Sequence, residues 1–334
     1  MKDRRKRSLL RFSFPRFTLF APKRCGKDGY EKNPNVIIVT LAGVRAAESI
    51  IDRYFQYMSN IFGVMCKEGV LYTHVKDPNY HFHDPTYRSI ISGKQAYFYS
   101  PTVGLTVPSL FQYVRKQYAL PATKTWAIGY WTKAASYCKT KMYRANTFPC
   151  YYSPGNGISQ AGKMLLTREE RGEDESYVNA KNICTWAFWD SQSVLQYKIV
   201  KRIMYRYKPK LVHFALNSTD CAHYGTFGRY SVALKEADKE IFDIWNMIQE
   251  DPYYKNRTYF LVGPDHIRNL YYMHHTQYRE NDHSWIYIFG PRVKENETIN
   301  RPVYQIDLFA TVAHIMDVKT HKSDGEVLWD CFKF

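Results

Sequence analysis

The chain has 334 residues, 45% of them hydrophobic, 23% charged and 16% aromatic. That much apolar material excludes wholesale disorder and a collagen- or linker-like chain, and no apolar run approaches the ~20 residues of a membrane-spanning helix. Charge is the unusual quantity: 47 Lys and Arg against 31 Asp and Glu give +16, which directs attention to nucleic acid, an anionic surface or an anionic substrate.

Residues 1–32 carry eleven Lys/Arg and three Asp/Glu, a net of +8, so the other 302 residues carry the remaining +8. The stretch opens with a polybasic run, Lys2 to Arg7, and continues through Leu9, Leu10, Phe12, Phe14 and Phe17. Arg11 and Arg16 interrupt its apolar part, whereas a secretory signal needs an unbroken core of about 7–15 residues. It reads as a basic tail outside the fold, suited to contact with an anionic surface. With no signal peptide and no span, the expectation is a soluble, cytoplasmic protein. Seven scattered cysteines without a CxxC offer no thiolate zinc cluster. Cys138 and Cys150 could bridge only in an oxidising compartment.

Residues 33–334 read as an α/β domain. Asn35–Leu41 is a short β-branched run that predicts a buried parallel strand. Residues 48–68 have helical spacing, and Val70–Val75 predicts a second strand. Pro85 opens a short helix to Gly93, and a helix over 107–118 and a strand over Thr125–Tyr130 follow. From about 131 to 190 the periodicity fades into a stretch rich in Tyr, Trp, Lys, Gly and Pro, which reads as an inserted cap. A helix at 192–207 and a strand at Leu211–Leu216 resume the pattern. The clearest helix covers about 229–249, with Tyr230, Ala233, Leu234, Ala237, Ile241, Ile244, Trp245 and Ile248 as one apolar stripe. Strands at Thr258–Val262 and Trp285–Phe289 and a helix at 305–316 close the domain. Alternating strands and helices predict a mostly parallel central sheet flanked by helices.

In open α/β sheets ligands bind past the carboxyl ends of strands. Those ends here carry Ala42-Gly-Val-Arg45, His81-Phe-His-Asp-Pro85, Asn217 to His223, Gly263 to His266, the pair His274-His275, and Asp282-His283. Seven of the eleven histidines fall in these loops, with Asp220 and Asp265 beside them. Any one such residue is ordinarily turn chemistry or a surface hydrogen bond. Their shared position favours a common site, and imidazole with carboxylate is the donor set of a borderline cation such as zinc.

With those loops in order, the chain from Asn35 to Val318 resembles the alkaline phosphatase/sulfatase superfamily of metal-dependent hydrolases. The resemblance is strongest over Asp220-Cys-Ala-His-Tyr-Gly225, Tyr230, Asp238, Trp245 and Asp265-His266, and returns at Ser284–Pro291 and Tyr304-Gln-Ile-Asp307. It implies an alkaline phosphatase-like fold, a pair of divalent metals (zinc first, manganese or magnesium next), and a phosphate or sulfate ester as substrate. Carried over, Asp220 and His223 with His274 or His275 form the first metal site, His283 being another candidate for the third position. Asp265 and His266 belong to the second, and Arg45 lies near the anionic ester.

The departures are specific. Where the resemblance places a metal-binding Asp after the first strand, this chain has Ala42. Where it places a Ser or Thr nucleophile two residues before the helix-opening Pro, the chain has His83. The Asp220–His223 spacing is three rather than four, with Thr219 at the expected Asp position. Three readings follow. The protein is a hydrolase in which His83 acts as base, nucleophile or replacement ligand, with Asp84 and Thr86 near it; or it is a degenerate member that binds an anionic ligand or a protein partner; or its basic tail dominates, on nucleic acid or a membrane surface. No nucleic-acid motif supports the third, and oligomeric state is not legible.

Overall fold

A computed structural model of the chain describes residues 34–76, 83–96, 105–128, 151–153, 197–223, 226–268 and 284–333. The basic tail and nearly all of the expected cap fall outside these residues, as do His274, His275, His283 and the Cys138–Cys150 pair.

The frame is a nine-stranded, mostly parallel sheet. In chain order its elements are β1 (Asn35–Leu41), α1 (Ser59–Gly63), β2 (Val70–Lys76), α2 (His83–Ser92), α3 (Leu110–Tyr118), β3 (Thr125–Ile128) and β4 (Tyr151–Ser153). They continue with α4 (helical residues 197–207), β5 (Leu211–Leu216), α5 (Phe227–Glu250), β6 (Thr258–Pro264), β7 (Ser284–Phe289), β8 (Glu297–Ile299), β9 (Val303–Tyr304) and α6 (Asp307–Ile315). The strand order is β4-β3-β5-β1-β6-β7-β2-β8, with β9 also on β2. Only the pairings of β7 with β6 and β2 are antiparallel.

β1 is central, and its alternation divides the core. Ile37, Val39 and Leu41 face a layer built with Ile61 and Phe62 of α1, Val200 and Ile203 of α4 and the stripe of α5. Val36 and Ile38 face the opposite layer, with Ile90 and Ile91 of α2, Val114 of α3 and Phe309 and Val312 of α6. Each fully buried aliphatic side chain contributes about 1.5–3 kcal/mol relative to exposure. That is why these runs are mostly apolar, and the buried polar pair in the central strands, Thr40 of β1 and His213 of β5, meets at 3.2 Å between Oγ1 and Nε2. None of the described helices is long and apolar enough to cross a membrane.

One expectation fails clearly. Residues 48–68 are not a continuous helix but two short 3-10 turns, Ala46–Glu48 and Met65–Glu68, around the single-turn α1. Asp52 accepts from the backbone N–H groups of Tyr54 (3.2 Å) and Gln56 (2.5 Å), which offers the chain a local alternative to helical bonding. Phe55 then adopts a positive φ of 50°, and Ile51 and Tyr54, two of the residues that give the stretch its helical spacing, are exposed. Inside the expected cap, Tyr151–Ser153 extends the sheet as β4, parallel to β3.

Candidate functional site

Register brings three strand ends together. Leu41 at the end of β1 lies opposite Leu216 of β5 and Pro264 of β6. The ladders run one residue further through Ala42 N–H to Leu216 O and Asp265 N–H to Leu41 O, both 2.9 Å. Ala42-Gly43, Asn217 to Asp220 and Asp265-His266 are therefore neighbours by sheet geometry alone. Gln305 locks the arrangement from the segment before α6, donating its side-chain amide to the carbonyls of Pro264 (3.0 Å) and Asp265 (2.9 Å). His83 stands at the described start of α2, with Pro85 in its first turn.

At this convergence His83, Asp220 and His266 each present one ligand atom, all within 4.8 Å of one another and all from buried residues. The imidazoles of His83 and His266 meet edge to face, centroids 4.5 Å apart. His266 Nδ1 lies 2.9 Å from the carbonyl of Ile267. A carbonyl only accepts, so this nitrogen carries hydrogen and Nε2 is the ligand atom. His83 Nδ1 donates to Asp265 Oδ2 at 2.6 Å, while its Nε2 lies 3.4 Å from Asp220 Oδ2. Both rings are thus tethered at Nδ1 and aimed through Nε2, the orientation that outer partners impose on metal-binding histidines.

Asp265 is the organiser. Its Oδ1 accepts from the N–H groups of Gly43 (2.9 Å) and His266 (2.8 Å), and its Oδ2 from His83. Burial alone would raise its pKa, but His266 and His83 hold it well below the usual carboxylate range. For His83, burial works against the imidazolium, and the carboxylates of Asp265 and Asp220 outweigh it and lift the pKa to about 10.

Arg268 completes the group and was not singled out in the sequence. It is buried, and its Nη2 donates to Asp220 Oδ1 and to Thr219 O, each at 2.9 Å. Its Nε donates to Gly43 O at 2.5 Å. The one available signal was its place three residues after Asp265, since an Arg just past a buried strand end has little water to face. Gly43 makes room for it: with φ at +59°, a Cβ there would stand 2.6 Å from His266 Cε1 and 2.7 Å from Arg268 Nε.

The remaining expected residues are placed as follows. Arg45 pairs with Glu48 (3.3 Å), and its backbone N–H donates to Tyr230 Oη (3.0 Å). Asp84 accepts from Arg88 Nε at 3.0 Å. Thr219 donates its hydroxyl to Ala42 O at 2.5 Å, a structural tie between β1 and β5. His223 ends the 3-10 turn Ser218–His223, and its side chain lies outside the description.

No protein-family model and no curated protein matches the chain. Solved structures do. The phosphonate monoester hydrolase of Agrobacterium radiobacter is similar over 90% of this chain and 77% of its own, with a TM-score of 0.61 and 12% identity. A protein in the alkaline phosphatase superfamily from Vibrio parahaemolyticus is similar over 90% and 70%, with a TM-score of 0.59 and 12% identity. Murine ectonucleotide pyrophosphatase/phosphodiesterase 5, in complex with AMP, is similar over 90% and 100%, with a TM-score of 0.53 and 11% identity. At such identities the likeness is one of fold.

Proposed function

On the fold of the alkaline phosphatase superfamily, we propose that this chain is a metal-dependent hydrolase of phosphate or sulfate esters. In this reading His83, Asp220 and His266 hold a divalent cation, zinc first and manganese or magnesium next. The observation that carries it is the pair of imidazoles, each tethered at Nδ1 and presenting Nε2 beside one carboxylate within 4.8 Å. Two His and one acid are the protein donors of an open catalytic zinc site, so the residues present fit the ion. A bound divalent cation supplies polarisation of an ester oxygen and a more acidic water.

The chain's own groups narrow the roles. With its Nδ1 committed to Asp265 and its Nε2 turned toward Asp220, His83 is better placed as a ligand than as a covalent nucleophile. Asp265 acts by orienting His83 and fixing the turn at Gly43. The third ligand position carried over from the resemblance, at His274, His275 or His283, and the role of His223 belong to the same proposal. So does an anionic small-molecule ester as substrate, consistent with the AMP held by the murine structure of like fold.

A second reading rests on charge. Asp265 is matched by His83 and Asp220 by Arg268, so the buried charges balance without an ion, as they would in a degenerate member that binds an anion or a partner.

Elemental analysis of the full-length protein, supplied with zinc or manganese, separates the two. The hydrolase reading expects stoichiometric metal, turnover of a nitrophenyl phosphate or sulfate ester, and loss of both in His83→Ala and in His266→Ala, with occupancy down at least about tenfold. Protein that takes up no metal and cleaves no ester would leave the second reading standing.

A further inference from the structure

We infer that a cleft at the far end of the sheet from the histidines binds a small zwitterion, a free amino acid with an apolar side chain. The site is separate from the metal centre proposed above and does not depend on it. The cleft has a volume of about 290 Å³ and opens between the end of α5 and the end of β7, with Ile248, Phe289 and Pro291 on its walls and Glu68, Lys255 and Glu295 as its charged residues. Thr258, which also lines it, is the first residue of β6, and Pro264 is the last. The cleft therefore lies about 20 Å along that strand from the turn at Asp265.

Size sets the first limit. Clefts that take drug-sized ligands run from about 300 Å³ upward, so this one is of a size for a single amino acid. Its lining is of two kinds. Phe289 is half-buried and meets Trp245 edge to face, centroids 5.7 Å apart. With Ile248 and Pro291 it makes an apolar wall that suits a hydrocarbon or aromatic side chain. Glu68 and Lys255 are exposed, and neither makes an ion pair among the described residues. Glu295 is already answered by Lys333 at 2.5 Å.

Charge and the helix end then choose the ligand. Glu68 and Lys255 leave one charge of each sign to be met. A ligand that carries both an ammonium and a carboxylate meets both, whereas a bare amine or a bare acid meets only one. The last turn of α5 adds to the negative side. Pro252 has no N–H to offer the carbonyl of Ile248, and the C-terminal end of a 24-residue helix carries partial negative charge. The ammonium group thus belongs with Glu68 and the helix end, the carboxylate with Lys255, and the side chain on the wall of Phe289.

Titration of isotope-labelled, full-length protein with L-phenylalanine tests this by NMR. Backbone amides of Gln249, Asn256 and Gly290, which also line the cleft, should shift together and saturate, with a Kd below about 10 mM. N-acetyl-L-phenylalaninamide keeps the side chain and carries neither charge, so it should bind at least about tenfold more weakly. Glu68→Gln and Lys255→Gln change exposed side chains, where effects on folding are small, and each should weaken L-phenylalanine by at least about tenfold. No saturable shift at these amides, equal affinity for the neutral analogue, or either variant binding as the wild type does would each overturn the assignment. Zinc does not enter this measurement, so a wild type that binds L-phenylalanine and no metal fails the hydrolase reading alone.

Discussion

Gly43 shows how much of the site hangs on a residue with no side chain. Its φ of +59° lies where an L side chain costs about 1–2 kcal/mol, and the Cβ contacts at 2.6 and 2.7 Å are with groups packed on every side. Overpacking adds roughly 1–3 kcal/mol. Gly43→Ala is therefore expected to lower stability by about 2–4 kcal/mol in urea unfolding and to weaken zinc binding, because His266, a ligand in the proposed reading, must retreat. Gly228→Ala is the control. It sits in the first turn of α5 with ordinary φ, and its nearest contact would be Thr226 Oγ1 at 3.6 Å. There the change should be neutral or stabilising by up to about 1 kcal/mol; equal losses at both glycines would contradict the account of Gly43. At this scale the sequence was half legible. His83, Asp220, Asp265 and His266 could be singled out because imidazoles and acids at strand ends are few. Arg268 could not, since one Arg among 47 basic residues reads as surface until the fold buries it.

Among the elements, those that bury both faces were the readable ones. β1 and β5 occupy the stretches expected for them, and α5 the expected stretch within two residues at its start and one at its end. A central strand must be largely apolar on both faces, and a long helix shows its stripe over six turns. Short pieces were not readable, for a physical reason: β8 and β9 have three and two residues, too few for any period, and α1 is held by a distant residue instead of its own sequence. Asp238 of α5 accepts from Asn60 N–H (2.9 Å), Asn60 Nδ2 (2.8 Å) and Ile61 N–H (2.9 Å). It supplies, from across the layer, the acceptors that the first turn of a helix lacks. The resemblance had drawn attention to Asp238, and the contacts make it a cap, not a ligand. Asp238→Ala strands the buried N–H of Ile61 and the half-buried N–H of Asn60, so a loss of about 1–3 kcal/mol is expected. Asp238→Asn, which keeps one acceptor oxygen, should lose roughly half of that. Denaturant unfolding checks both, and the zinc stoichiometry of the Asn variant should stay that of the wild type. A change in stoichiometry would mean that Asp238 does more than hold α1.

For the whole molecule, the +16 divides into a basic segment at 1–32 and a domain carrying the other half, and the domain's excess favours the approach of an anion. Inside the site the count is much smaller and more selective. Asp220 and Asp265 bring two negative charges and Arg268 one positive. In the proposed reading, with His83 and His266 neutral as ligands, one dication would leave these groups at +1. A singly charged ester brings that sum to zero. A doubly charged one leaves a unit of negative charge buried without a partner, and because the cost of desolvating an ion grows with the square of its charge, the second unit is expensive to bring in. The expectation is a preference for monoanionic esters: bis(p-nitrophenyl) phosphate or p-nitrophenyl sulfate over p-nitrophenyl phosphate, by about tenfold or more in kcat/KM once each is referred to its uncatalysed rate. In that reading Arg268→Gln lowers the loaded site to zero and should weaken competitive inhibition by inorganic sulfate. Inhibition constants for sulfate, measured on both proteins at saturating zinc, check this directly. If the doubly charged monoester is the better substrate, or if sulfate inhibits the variant as well as the wild type, then Arg268 does not set the charge that the substrate meets.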